Sequence, residues 1–127
     1  MIQDPPVMRG IPNSAPAGTP AAAGRLTVGY KPKWSGVCRI DDAPITGQLE
    51  IVYRPGDTLL EFGSVDKWLN AHRATPTTLE EFVVRVFQAV SSVVGDDTPL
   101  VVTGTVQGIT HAEAIAKVDR GEDFLWV

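Results

Sequence analysis

Residues 48–82 read QLEIVYRPGDTLLEFGSVDKWLNAHRATPTTLEEF, and the order of elements within them decides the fold. Gln48-Leu49-Glu50-Ile51-Val52-Tyr53 alternates polar with apolar residues, the period of a half-buried strand. Arg54-Pro55-Gly56-Asp57 then turns the chain out of it. Ser64 is placed to cap a short helix running to about Arg73, with Val65, Trp68, Leu69 and His72 along one face. Thr78-Leu79-Glu80-Glu81 has the spacing of a capping box, in which Glu81 reaches back to the Thr78 amide. Phe82, Val83, Val86, Phe87, Val90 and Val94 follow at helical spacing until Gly95 ends the helix.

Upstream, Arg25-Leu26-Thr27-Val28-Gly29-Tyr30 alternates in the same way and predicts a first strand, which Lys31-Pro32-Lys33 interrupts as an edge or a bend. Residues 1–24 are rich in Pro, Ala and Gly and carry little apolar periodicity. Such a segment buries too little surface to offset its ordering entropy, so it reads as a flexible arm. The sharper alternative is an arm that orders along a neighbouring subunit. Residues 25–127 form the single domain. Downstream, Pro99–Val106 predicts a third strand, and Ile109–Val118 a fourth or its bulged continuation, against the helix propensity of the Ala-rich stretch His111–Ala116. The plan is ββααββ: an α+β domain whose antiparallel sheet carries two helices on one face.

Composition narrows the function classes. The 127 residues are 43% hydrophobic and 20% charged, an ordinary globular balance. No apolar run approaches the roughly 20 residues that span a bilayer, and the N-terminus has neither the basic nor the apolar region of a secretory signal. Cys38 is the single cysteine, so no internal disulfide forms, and a reducing cytoplasm is the expected location. A net charge of −4 without a Lys/Arg cluster argues against nucleic acid as the main partner and leaves a small polar ligand or a protein.

The residues then resemble the 7-cyano-7-deazaguanine reductase family, which has the tunnelling fold. In that family a strand ending in Tyr-x-Pro leads into Glu-x-x-Ser, a Tyr-Leu pair, an Arg, and a His-Glu at the next helix. Here Tyr53-Arg54-Pro55 is followed by Glu61, Ser64, Trp68-Leu69, Arg73 and Leu79-Glu80, and the spacing from Glu61 through Arg73 to Glu80 matches the family without a gap. Val102-Thr103-Gly104-Thr105-Val106 looks like the family's Val-x-Gly-x-Phe strand. The resemblance covers roughly residues 35–116. GTP cyclohydrolase I shares the fold and is the more distant resemblance. Its Cys-x-x-His zinc motif falls on Cys38-Arg39-Ile40-Asp41, where the His is Asp41 and the family's late Cys is missing, with only His111 as a substitute. Three good ligands are lacking, so no zinc is expected.

The resemblance implies roles for particular residues. Glu80 stands where a glutamate accepts two hydrogen bonds from the N–H edge of a guanine-like ring, work that suits two coplanar charged acceptors. The plainer role is that of an acidic residue in a first helical turn. Glu61 and Ser64 match the substrate- and cofactor-side motif, but Gly63 and Asp66 replace its two phosphate-binding lysines, and Leu79 replaces its His. The resemblance therefore implies no NADPH and no other cofactor. Cys38 matches the nucleophile that attacks the nitrile carbon, with Asp41 or Asp42 as proton donor. A second register remains open: Ala43-Pro44-Ile45-Thr46-Gly47-Gln48-Leu49-Glu50 reads like the family's Cys-Pro-x-Thr-Gly-Gln-Pro-Asp, which puts Ala43 at the nucleophile and leaves Cys38 a small buried hydrophobe. Cys38 is the reading whose spacing needs no deletion. His72 and His111 read as structural or surface residues, and Trp34, Trp68 and Trp126 as core or interface aromatics.

The expectation is an enzyme of 7-deazaguanine metabolism, of the queuosine or archaeosine type, that binds a 7-substituted 7-deazaguanine without being an NADPH nitrile reductase. Two rivals are a GTP cyclohydrolase I-like pterin or GTP enzyme and a catalytically inactive binding or structural subunit. Open sheet edges, and the tunnelling fold itself, imply a ring-like homo-oligomer whose sheets join into a barrel.

Overall fold

The computed structural model describes residues 6–14, 26–107 and 112–121. Along the chain run β1 (Gly10–Pro12), β2 (Val28–Tyr30), β3 (Lys33–Cys38), β4 (Pro44–Tyr53), β5 (Thr58–Leu60), α1 (Phe62–His72), β6 (Pro76–Thr77), α2 (Leu79–Val94), β7 (Leu100–Val106) and β8 (Ala114–Arg120). His111 and Trp126 lie outside the described residues, as do most of the arm and the start of the expected last strand.

The expected plan holds, with more strands than the sequence suggested. β4 is the spine. It pairs antiparallel with β7, which pairs with β8, while β2 and β3 both lie along its other side. Lys31-Pro32-Lys33 is thus a break between two pieces of one edge, not its end. Pro32 has no N–H to donate, yet its carbonyl still accepts from the Leu49 amide at 2.8 Å, so the pairing carries through. β4 begins at Pro44, four residues before the expected start, because Pro44–Gln48 completes a hairpin with β3. The two-residue β6 runs parallel to β3, which makes the sheet mixed.

Strand alternation sorts the sheet into two faces. Trp34, Leu49, Ile51, Tyr53, Leu100 and Val102 are buried on the helix side with Val65, Trp68 and Leu69 of α1 and Phe82, Val83, Val86 and Val90 of α2. Trp34 stacks on Phe82 with centroids 4.3 Å apart and donates its ring N–H to the Thr105 carbonyl at 3.0 Å. Gly47 permits that approach: a Cβ there would stand 1.6 Å from the Thr105 oxygen. The other face carries Lys33, Gln48, Glu50, Thr103, Thr105 and Lys117, with a Lys31–Glu50 ion pair at 3.6 Å.

Three local readings are corrected. The cap of α1 is Glu61, whose carboxylate accepts from the Gly63 and Ser64 amides, each at 2.8 Å. Ser64 sits one turn in and its hydroxyl donates to the Glu61 carbonyl. Thr78 caps α2 by accepting from the Glu81 amide, but the Glu81 side chain turns to Arg39 at 2.9 Å, since a cation rewards a carboxylate more than a neutral amide does. Part of the arm is docked on its own chain: β1 pairs with β5, Met8 is buried, and the Arg9 amide donates to the Ser64 hydroxyl at 2.8 Å. Met8 and the β1–β5 ladder supply what composition could not reveal.

Arg120 closes the far end. Its guanidinium donates to the Gly95 and Thr98 carbonyls and the Ser91 hydroxyl, and lies 5.3 Å from the centre of the Phe87 ring. These are carbonyls that follow the last turn of α2, where a cation also complements the helix dipole. Gly95 leaves that turn at φ 112, a conformation that favours glycine.

Candidate active site

Cys38 ends β3 on the helix-facing side and is half-buried. Its amide donates to the Ala43 carbonyl at 2.8 Å and its carbonyl accepts from Asp42 at 2.9 Å, so residues 39–42 form the tip of the β3–β4 hairpin. Asp42 holds the positive φ of 59 that closes this tip, and the Asp41 carboxylate accepts from the Ala43 amide at 3.0 Å. Both candidate nucleophile positions, Cys38 and Ala43, therefore face one another across a single hairpin. The two registers compete for one place rather than for two.

β6 brings the second half of the site. Cys38 pairs with Thr77, and the Arg39 amide donates to the Thr77 carbonyl at 3.0 Å. Thr78 then caps α2, so Glu80 in its first turn is only three residues from the partner of Cys38. Arg39 neutralises Glu81. Glu80 is exposed and has no hydrogen-bond or ion-pair partner among the described residues. With Val84, Arg85 and Gln88 it lines a shallow concavity of about 410 Å³ along the outer side of α2. A free carboxylate in the first turn of a helix can anchor a ligand that offers paired N–H donors, and the Arg39–Glu81 ion pair ties this turn to the hairpin that carries Cys38.

Glu61 and Ser64 do not join this group within one chain. They lie at the opposite end of α1, whose 11 residues extend for about 16 Å. Both are already engaged, Glu61 in capping and Ser64 with Arg9 and the Glu61 carbonyl. Asp66, one of the two positions where the resemblance places a lysine, receives the Tyr30 hydroxyl at 2.6 Å. That hydrogen bond, with burial and the Asp66 charge behind it, pushes the Tyr30 pKa up to about 12. Tyr30 also stacks on Phe62 with centroids 4.3 Å apart. Tyr53, buried in the core, accepts from the Leu60 amide at 2.8 Å, and burial raises its pKa.

His72 is structural: its Nδ1 lies 2.8 Å from the Trp68 carbonyl and its ring stacks on Trp68. Among the described residues no three His, Cys, Asp or Glu side chains gather as metal ligands, and no helix is long and apolar enough to cross a membrane. Sequence reasoning missed Arg39 and Thr77, the two residues that tie the hairpin to α2. Their only signal was adjacency to Cys38 and Thr78, since both contacts are made across the sheet.

No protein-family model matches the chain, and no curated protein matches it by sequence. Among solved structures, the crystal structure of the archaeosine synthase QueF-Like in the apo form superposes with a TM-score of 0.68 at 20% identity. The match covers 73% of this chain and 91% of that one. At this identity the likeness speaks for architecture alone, and the architecture is the tunnelling fold that the residues from Tyr53 to Glu80 led us to expect.

Proposed function

We propose that this protein binds a guanine-like base, a 7-substituted 7-deazaguanine, at the end of the sheet where the Cys38 hairpin meets the start of α2. The observation that carries the reading is the division of labour at the start of α2: Arg39 takes Glu81, and the adjacent Glu80 is left exposed beside the Cys38 hairpin. The fold shared with archaeosine synthase QueF-Like supports the same ligand class. In this reading the Glu80 carboxylate accepts from the ring N–H and the exocyclic amine of the base. The base's 7-substituent then points to Cys38, whose thiolate adds to a nitrile carbon while Asp41 or Asp42 delivers the proton to nitrogen. Reduction by NADPH is not part of the proposal, because Gly63 and Asp66 offer no cation to a phosphate.

Calorimetry with 7-cyano-7-deazaguanine tests this. Glu80→Gln replaces one acceptor with a donor that confronts the ring N–H groups, a loss of about 2–4 kcal/mol or roughly 30- to 800-fold in Kd. Equal affinity in the two proteins would reduce Glu80 to an ordinary first-turn acid. Binding of GTP in preference to the deazaguanine would turn the reading toward pterin chemistry.

The same reading includes assembly. β8 exposes one edge of the sheet and β2–β3 the other, with only the short β6 beside β3. Unpaired edges invite pairing, and joining them between copies closes a barrel. Light scattering is expected to show a ring-like homo-oligomer. A stable monomer at micromolar concentration would contradict this.

A further inference from the structure

The β3–β4 hairpin reaches the start of α2 through two contacts of Arg39. Its amide donates to the Thr77 carbonyl at 3.0 Å, and its guanidinium pairs with Glu81 at 2.9 Å. The backbone ladder beneath these contacts is short. β6 is two residues long and pairs with Val37 and Cys38, and Pro76 has no N–H to give. Burial adds little at the tip, where Ile40 is the one apolar residue of 39–42 and is 79% exposed. Cys38 stands at the base of this tip and is half-buried. Its amide and carbonyl close the hairpin with Ala43 and Asp42, so the hairpin carries the thiol, while Thr77 leads directly into the cap of α2.

We infer that the Arg39–Glu81 ion pair is a latch: it holds the hairpin against the start of α2 and sets how often the Cys38 thiol is uncovered. A two-residue ladder opens locally at small cost. A charge-assisted contact placed across it therefore shifts the balance between closed and open measurably. An exposed pair is worth about 1.5- to 5-fold in such an equilibrium. The side chains of Arg39 and Glu81 are 56% and 38% exposed, so dissolved salt reaches the pair and screens it. The latch loosens as ionic strength rises. Arg39 and Glu81 act through the placement of Cys38, which makes them positioning residues; neither touches the reacting atoms. That Cys38 attacks a nitrile rests on the function proposed above, whereas the latch rests on the hairpin and α2 alone.

Cys38 is the single cysteine, so iodoacetamide labelling of the intact protein reports on it without background. At low salt, labelling is expected to be about 1.5- to 5-fold faster in Arg39→Gln and in Glu81→Gln than in wild type, with unchanged thermal unfolding. The double variant should be no faster than either single one, because both changes remove the same contact. Arg39→Lys should stay near wild type, since one 2.9 Å contact asks for a charge and not for the full guanidinium fork. Raising salt from about 0.05 to about 0.5 M should quicken labelling of wild type and leave Arg39→Gln unchanged. Hydrogen exchange gives a reading independent of the thiol: in Glu81→Gln the Arg39 amide should exchange faster, while the Leu49 amide, bonded to the Pro32 carbonyl, should not change. With 7-cyano-7-deazaguanine the sign reverses. The covalent adduct should form more slowly in Arg39→Gln, because a loose hairpin meets a small reagent more often and an anchored base less often. Labelling indifferent to both variants, additive effects of the two, or a faster rate matched by a fall in Tm would overturn the latch. Faster labelling with no adduct even in wild type would keep the latch and sink the covalent reading. An adduct in wild type, with labelling and exchange indifferent to the variants, would do the reverse.

Discussion

Replacing Glu61 by Ala separates a cap from a ligand group. Two amides of the first turn of α1 donate to its carboxylate at 2.8 Å each, the Gly63 bond exposed and the Ser64 bond partly buried. Loss of an N-cap side chain costs about 0.5–2 kcal/mol, and the exposed bond belongs at the low end because water replaces it. Removing the negative charge from the positive end of the helix adds about 0.3–1 kcal/mol. Together these come to about 2 kcal/mol, which for a domain of this size lowers Tm by roughly 6–10 °C. Glu61→Gln keeps one acceptor oxygen and turns an amine toward the second N–H, so it should lose about half as much. The assay is reversible thermal unfolding of the variants beside calorimetry with the deazaguanine. If Glu61 caps, Tm falls in the order wild type, Gln, Ala, while base affinity at Glu80 stays within twofold. An unchanged Tm with lost affinity would refute the capping assignment and return Glu61 to the ligand.

Two further outcomes follow from other residues. With the Tyr30 pKa raised to about 12 chiefly by the Asp66 hydrogen bond, its contribution is complete below about pH 10, where the unfolded phenol is protonated, and is lost as pH climbs through 12. Tyr30→Phe should therefore flatten the alkaline part of a stability–pH curve between those values, and an unaltered slope would show that the bond contributes nothing. If Cys38 is the nucleophile, iodoacetamide labels it, 7-cyano-7-deazaguanine protects it, and mass spectrometry of intact protein finds the base's mass added. A protein that binds the base without adduct or protection would leave binding without covalent chemistry.

What the sequence showed depended on how far each contact reaches. α2 was legible from end to end because its signals are local: Thr78 at one end, Gly95 at the other, and apolar residues at helical spacing between them. β3 was hidden, since Trp34, Gly36 and Cys38 face the core while Gly36 offers no hydrophobic side chain to mark the alternation. β1 was hidden for a similar reason, for the Gly10–Pro12 strand pairs with residues 58–60 and has no pattern of its own. Glu61 was singled out for a ligand when its nearest donors were two amides of its own helix. The link between the Cys38 hairpin and the start of α2 had no local signal, because the parallel Cys38–Thr77 pairing that makes it joins segments nearly forty residues apart.

Arg120 has a consequence for association. An outermost strand ordinarily frays, and a second chain that pairs with it must first halt that motion, which opposes binding entropically. Here the last residue of β8 is tethered to the end of α2 through its guanidinium donors. The edge is stiffened before any partner arrives, so docking forfeits less freedom. If copies pair along this rim, as the proposed assembly requires, the strength of that pairing is governed in part by a side chain whose hydrogen bonds all run to the end of α2. Loosening it should accelerate dissociation while leaving the mating surface chemically the same.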